Sequence, residues 1–279
     1  MKIRSYKITL CFTFLILIGP EAFARNCTLS SGNITDTDYC LATPEYTKST
    51  VFEIGLCMGA PTAPTLATAA DVSTNCTKIF ENTSGAVVRI TDTTRSNLTG
   101  TYTQPSFGIY SHAYILLAPS ATVSGEFTFN RNMSDSHGNS GNVCWTKTGA
   151  IWRYDNANSD YTYCGTASSD KGDTEIRFNS FDDNGVFLNS GTNGNKSFYL
   201  ITSAQKLAPA PTSLTSWGTI DKLLITAELQ TVLNINENVN GIELGIQKLN
   251  SAFVGISSTN PNLVWQIRPG DINVDISAF

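Results

Sequence analysis

Cysteine is the residue type in this chain with the clearest chemistry. The sequence holds seven cysteines, and Cys11 lies inside an apolar N-terminal run, which leaves an even set for the rest of the chain. In an exported protein an even set indicates disulfide bonds, although six cysteines allow about fifteen pairings. The simplest pairing is sequential: Cys27 with Cys40, Cys57 with Cys76, and Cys144 with Cys164.

Metal binding is the other chemistry that these side chains could support. Structural zinc sites use closely spaced ligand pairs such as C-x-x-C, and no two of the six cysteines lie closer than 13 positions. Aspartate-rich turns at 155–160 and 182–184 offer oxygen atoms, but neither has the spaced acids and terminal glutamate of a calcium loop. The sequence therefore predicts structural disulfides and no cofactor; it assigns no metal-ligating residue and leaves calcium binding open.

The histidines and acids form no recognisable catalytic motif. His112 alternates with Tyr110 and Tyr114, so we expect it to pack rather than to act as a base. His137 precedes Gly138–Gly141, which lacks the fifth glycine of a nucleophile elbow. Glycoside hydrolysis needs two carboxyl groups at a defined separation, and sequence alone cannot pair the candidates. These are Glu126, Glu175, Glu228 and Glu243.

Aromatic residues are concentrated in one polar stretch of the chain. Exposed rings could stack on the faces of sugars, whereas buried rings would only pack hairpins together. Both interpretations fit the sequence, so a carbohydrate-stacking face is a hypothesis here. Its candidate residues are Trp145, Trp152, Tyr154, Tyr161 and Tyr163.

The N-terminal segment has the three parts of an export signal. Lys2, Arg4 and Lys7 precede the apolar run 8–19, and small residues follow at 22–24. The sequence therefore predicts a signal peptide over 1–24 and a secreted, periplasmic or cell-surface protein. The apolar run is too short to span a bilayer, and no later stretch is long enough, so no transmembrane span is predicted.

Charge excludes one class of partner. The net charge is -5, and no cluster of Lys and Arg is visible. Nucleic-acid binding relies on such clusters to neutralise phosphates. We therefore expect protein or glycan partners and no nucleic acid, while the sequence leaves the oligomeric state open.

The elements that must position these residues are strands. Apolar residues alternate with polar ones at Phe52, Ile54 and Leu56 and again along 223–235, where the pattern indicates a bend near the middle. Asn240-Gly241 is a strong turn signal. Further strands are predicted at 86–91, 109–117, 125–130, 143–146, 151–154, 161–164, 174–178, 186–189, 198–202, 242–246, 263–267 and 272–276.

Helical periodicity is scarcely present, and the strands recur about every ten residues, which suits an antiparallel sandwich. The sequence therefore predicts an all-β, disulfide-stapled antiparallel β-sandwich over 25–279. Residues 131–211, rich in Asn, Ser, Asp and Gly, are interpreted as a hairpin-rich insertion, with a separate subdomain as the alternative. A bridge from Cys57 to Cys76 would fasten a loop that has few large apolar residues.

Three segments carry a family resemblance: "CLATPEYTKSTVFEIGLCMG", "NCTKIFENTSG" and "GIYSHAYILL". Over roughly 40–128 the chain resembles uncharacterised secreted proteins of marine bacteria with a Cys-x-x-Thr-Pro opening and an Ile-Gly-Leu-Cys strand end. It is more weakly similar to bacterial prealbumin-type sandwich domains. The resemblance implies export and a β-sandwich, and it implies no active-site residues.

These patterns favour an exported structural or interaction protein, adhesive or envelope-associated, over an enzyme. The alternative is a carbohydrate-binding module that uses the aromatic stretch, and a secreted hydrolase comes third. The hypothesis depends on the disulfide pattern and on the lack of any nucleotide, metal or nucleophile motif.

Overall fold

The described part of the chain is entirely β-structure. The computed structural model describes residues 25–26, 39–91, 98–152, 162–168, 170–178, 181–183, 186–188, 190–193, 195–209, 219–247, 252–256, 263–269 and 273–278. Within these ranges there are twenty strands and no helix. All ladders between them are antiparallel except those of the first and second strands and of the ninth and eleventh. The all-β prediction is therefore confirmed.

The strands are numbered in chain order. They are β1 Arg25–Asn26, β2 Tyr39–Ala42, β3 Tyr46–Cys57, β4 Cys76–Ile90, β5 Thr101–Tyr102, β6 Gly108–Ser124, β7 Glu126–Ser134, β8 Ser140–Thr146, β9 Ile151–Trp152, β10 Thr162–Gly165, β11 Thr174–Arg177, β12 Phe181–Asp183, β13 Val186–Leu188, β14 Ser190–Asn193, β15 Lys196–Ile201, β16 Lys222–Ile235, β17 Ile242–Gln247, β18 Ala252–Ile256, β19 Val264–Pro269 and β20 Asn273–Ala278.

The principal sheet has nine strands, and β6 lies at its centre. Its main path runs β14-β15-β16-β6-β3-β4-β5, and β11 and β9 attach beside the C-terminal half of β6. β6 is long enough to pair with β3 along both halves, although the register shifts between them. Pro119 lies at this irregularity, where a strand tolerates a residue that cannot donate a ladder hydrogen bond.

The middle of the principal sheet is buried on both faces. Ala113, Ile115 and Leu117 belong to the larger core cluster, whereas Tyr114 and Leu116 belong to a second cluster on the opposite face. A strand covered on both sides has no polar face to alternate with. This explains why β6 carries an uninterrupted apolar run.

A second sheet, here called the ribbon, consists of β10, β8 and β7 in that order. The turn between β7 and β8 is organised by Asp135, whose carboxylate accepts hydrogen bonds from the backbone amides of His137, Asn139 and Cys164, each at 2.9 Å. The ribbon joins the principal sheet through Thr146, whose hydroxyl accepts from the Gly125 amide at 2.9 Å. The predicted insertion 131–211 contributes strands to both sheets.

The remaining strands form small sheets in the C-terminal part of the chain. β17 pairs with β20, and β18 pairs with both β2 and β19. The strands predicted at 242–246, 263–267 and 272–276 are confirmed. The predicted bend in 223–235 is confirmed as a register shift between Glu228 and Leu233. β18 was not predicted, because its sequence, AFVGI, shows no alternation.

No helix in the described ranges is long and apolar enough to cross a membrane. The predicted signal peptide, 1–24, lies outside the described residues.

Candidate ligand-binding cleft

Two of the three predicted disulfides are confirmed. Cys57 bonds to Cys76, and Cys144 bonds to Cys164. Each pair occupies directly opposed positions in an antiparallel ladder, β3 with β4 and β8 with β10. Cys27 lies outside the described residues, and so does the predicted pairing of Cys27 with Cys40.

The loop between Cys57 and Cys76 is held by more than its disulfide. Asp71 accepts hydrogen bonds from the hydroxyl of Thr74 and from the backbone amides of Ser73 and Thr74. These bonds, led by the Thr74 hydroxyl, hold the pKa of Asp71 well below its ordinary value. Ala70 of the same loop is buried against the face of the principal sheet that carries Tyr114.

A cleft opens on this same face, and a bulge in β4 forms one of its walls. Val51 pairs with Ala86 and Glu53 pairs with Glu81, so residues 82–85 are extra on β4 and leave the ladder. Gly85 permits this with φ +83, and a Cβ there would lie 2.3 Å from a Thr50 methyl.

The opposite wall is the tight turn 202–206 that follows β15. The backbone N–H of Gln205 donates to the Thr202 carbonyl at 2.8 Å, and the backbone carbonyl of Gln205 accepts from the backbone N–H of Ala70 at 3.0 Å. Gln205 has φ 58, in the left-handed region that side-chain-bearing residues seldom adopt. The disulfide-bounded loop therefore supports this wall of the cleft.

Two carboxylates share one lysine inside the cleft. Lys78 Nζ lies 3.1 Å from Glu53 Oε1 and 2.6 Å from Glu81 Oε1. Glu53 and Glu81 are directly opposed in the ladder, where like charges would repel without the ammonium between them. Partial burial disfavours the charged form of Lys78, but the hydrogen bonds and charges of Glu81 and Glu53 outweigh it and raise the pKa of Lys78.

Tyr114 lies beneath this group. A Cβ on Gly55 would come within 2.0 Å of its ring, so the glycine is what allows the ring to lie flat on β3. Its hydroxyl reaches Glu53 Oε2 at 3.4 Å. Burial, together with the negative charge of Glu53, raises the pKa of Tyr114 well above its ordinary value.

The cleft encloses about 180 Å³. Phe52, Leu116 and Ile201 form the apolar part of its surface, and Lys222, whose Nζ lies 5.0 Å from the centre of the Phe52 ring and is paired with Asp221, borders it. The rest of the lining is polar. It comprises Glu53, Glu81, Asn82, Thr83, Thr202, Ser203 and Gln205.

The aromatic residues named from the sequence lie elsewhere, on and beside the ribbon. Trp145 is 6% exposed and donates its indole N–H to Asp170 at 2.8 Å, so it presents no open ring face. Tyr163 is half-buried, with His137 stacked 4.6 Å from its ring centre and Lys147 Nζ at 4.2 Å. A sugar-stacking face stays a prediction that would have to use Tyr163 and the remaining candidates.

The structure describes less of the other three aromatic candidates. The backbone of Trp152 lies in β9, but its side chain is outside the described part. Tyr154 and Tyr161 also lie outside it.

The histidines and acids named from the sequence are dispersed. His112 is half-buried, with Nδ1 2.8 Å from the Ser111 hydroxyl, and it is paired in the ladders with Cys57 and Glu228. Glu126 contacts Ser168 on the ribbon, and Glu175 binds Arg177. Glu243 is buried on β17. Among the described residues no group of three or more His, Cys, Asp or Glu side chains is arranged to hold a metal ion.

Sequence reasoning missed the cleft because its residues converge only in space. In the sequence Glu53 is only one polar position of an alternating strand, and 82–85 only precede the strand predicted at 86–91. One signal was present: Gly55 interrupts an otherwise well-filled strand, which often marks a close approach by another group.

The fold and its covalent links define a class: an all-β protein of packed antiparallel sheets fastened by cross-strand disulfides. No family model, no curated protein and no solved structure matches the chain. The chemistry assigned to the cleft therefore rests on its own geometry.

Proposed function

We propose that the chain is an exported interaction protein that works at the cell surface or in the extracellular space. The supporting observation is the pair of cross-strand disulfides, Cys57–Cys76 and Cys144–Cys164. Disulfides of this structural kind form and persist in oxidising compartments. The export signal expected at 1–24 and the resemblance to secreted proteins agree with this.

The proposed mode of action is binding rather than turnover. A glycosidase needs one carboxyl group that carries a proton and a second that is free to attack or to activate water. In the cleft, Glu53 and Glu81 both bind the Lys78 ammonium, so each carboxylate is already engaged by a cation. This arrangement suits a fixed polar binding surface better than an acid–base pair.

Export can be tested by expressing the full chain in a bacterial host and separating cytoplasm, envelope and medium. We expect the protein outside the cytoplasm, with its N-terminus near Arg25 and both disulfides intact in peptide maps made without reduction. A matched variant with Leu10→Arg and Leu15→Arg in the apolar run should stay in the cytoplasm. Cytoplasmic retention of the unaltered chain with free thiols would contradict the proposal.

Turnover is tested separately on the purified protein with generic ester, peptide and glycoside substrates. We expect none above background. Robust turnover that is lost on Glu81→Gln or another single carboxylate substitution would show that the protein is a hydrolase.

A further inference from the structure

We propose that the cleft binds one saccharide unit, a neutral ring rich in hydroxyl groups, and that Gln205 is the residue that holds it. This inference rests on the proposed function as an interaction protein and specifies what one site of that protein recognises. It uses a surface remote from the aromatic residues of the ribbon.

The first reason is the supply of unused hydrogen-bonding groups. Within the described residues, no partner engages the side-chain amide of Gln205 or the hydroxyls of Thr83 and Ser203, all of which line the cleft. Amides and hydroxyls both donate and accept. A sugar hydroxyl does the same, so these groups match it without regard to charge.

The second reason is the state of the charges. The carboxylates of Glu53 and Glu81 are bound by Lys78, and that of Asp221 by Lys222. Two lysines offset most of the charge of these three acids, so an amine gains little attraction, and an anionic ligand would meet three acids. A neutral polar ligand can bond to Lys222 and to the remaining carboxylate oxygens without breaking either pair.

The third reason is size and shape. A volume of about 180 Å³ is well above the ~10–15 Å³ that a cavity needs to hold one water molecule. This is enough for one ring and too small for the drug-sized ligands that fill larger pockets. Phe52 and Leu116 supply an apolar patch for the C–H face of such a ring.

The fourth reason is the backbone of Gln205. Its φ of 58 is a conformation that glycine adopts without cost and that a side-chain-bearing residue adopts at some expense. Backbone outliers of this kind concentrate at ligand clamps and active sites. A residue selected only for the turn would be glycine, and here the position carries an amide that lines the cleft.

The test compares glutamine with glycine at position 205. Gln205→Gly removes the amide and at the same time relieves the left-handed backbone, so the variant should fold at least as well as the original protein. The probes are glucose, galactose, mannose and N-acetylglucosamine at millimolar concentration, observed by saturation-transfer NMR. Spermidine serves as the amine probe. The control is Gln230→Ala, which removes the same side chain from an exposed position of β16 outside the cleft.

We expect at least one sugar to bind the original protein and the Gln230→Ala control equally. Binding to Gln205→Gly should be about tenfold weaker, the effect of losing one well-placed hydrogen bond, with an unchanged or higher melting temperature. Ser203→Ala should weaken binding in the same direction.

Three results would overturn the inference. They are no binding of any sugar in the panel, equal binding by Gln205→Gly, and preferential binding of spermidine. Each would leave the proposed function intact if the protein is still exported with its disulfides. Cytoplasmic retention would instead overturn the proposed function, whatever the cleft binds.

Discussion

The two disulfides close loops of nearly equal length, with sequence separations of 19 and 20, but their surroundings differ. The loop at Cys57 packs its Ala70 on an apolar face of the principal sheet and bonds to the Gln205 turn. The disulfide at Cys144 links two strands of the ribbon.

Several polar groups link that ribbon to the segments around it. The Thr146 hydroxyl bonds to the Gly125 amide and to the Gly172 carbonyl, and Lys171, in the segment that follows β10, binds Glu45, which precedes β3. In the chain-entropy account, stabilisation by a disulfide depends on loop length. Any difference between the two regions after reduction must therefore come from their noncovalent contacts.

The largest expected effect is removal of either disulfide. Replacing both cysteines of a pair by alanine should lower the free energy of unfolding by about 3 kcal/mol in each case. We expect loss of Cys57–Cys76 to lower the single main transition, because that loop shares the core. Loss of Cys144–Cys164 should first open the ribbon, because the described strands of the ribbon form a separate three-stranded sheet with no ladder to the principal sheet.

Urea titrations followed by far-ultraviolet circular dichroism, with hydrogen exchange at β8 and β10, distinguish these outcomes. An intact unaltered protein serves as the reference in each titration. Identical single transitions for both double variants would mean that the ribbon unfolds together with the principal sheet. That result would contradict the expected difference between the two disulfide regions.

The next effect compares two aspartates that organise turns in the same way. Asp135 is 3% exposed and accepts hydrogen bonds from three backbone amides. On the surface, Asp71 likewise accepts from the backbone amides of Ser73 and Thr74. Asp135→Ala strands buried donors, including the Cys164 amide, and should cost about 2 kcal/mol. Asp71→Ala exposes its donors to water and should change the melting temperature much less. Thermal melts of both variants check this, and equal losses would contradict it.

The smallest effect concerns pH and the contact between β3 and Asp173, which directly precedes β11. Asp173 accepts from Tyr46 Oη and Lys48 Nζ, each at 2.6 Å. Partial burial opposes ionisation, but these two bonds outweigh it and lower the pKa of Asp173. Its contribution is therefore complete above the ordinary value of about 3.9 and is lost as the pH falls through the lowered pKa of the folded state.

Asp173→Asn should consequently destabilise by less than about 1 kcal/mol at pH 7, and the difference from the original protein should shrink towards pH 3. Paired melts across this range measure it. In a Lys48→Met background the difference at pH 7 should already be smaller. A difference that grows in acid would reverse the assigned direction.

Period-two alternation was enough to predict β3, β16, β17, β19 and β20, and chain order was enough to pair four cysteines. The full lengths of β4 and β6 were not predictable. Asn82 to Gly85 has the composition of a turn, yet the chain resumes the same strand after it. Pro119 normally ends a strand, yet β6 passes it at an irregularity.

The cleft could not be predicted because its walls come from segments about 120 residues apart in sequence, and no local pattern records which segments meet. Burial was equally invisible: Trp145 and Tyr163 are directly opposed across β8 and β10, yet Trp145 is buried and Tyr163 is half-buried, and nothing in their similar polar sequences separates them.

The bulge at 82–85 also has an evolutionary consequence. Because these residues stand outside the ladder, their number and identity can change while the pairings of Val51 with Ala86 and of Glu53 with Glu81 remain. Gly85 is constrained by its φ of +83 and the nearby Thr50 methyl, and Asn82 by its side-chain hydrogen bonds to the Thr99 carbonyl and from the Ser84 amide. Substitutions, insertions or deletions in this segment, whether in evolution or by design, can therefore change what the cleft recognises while the surrounding strands keep their pairing.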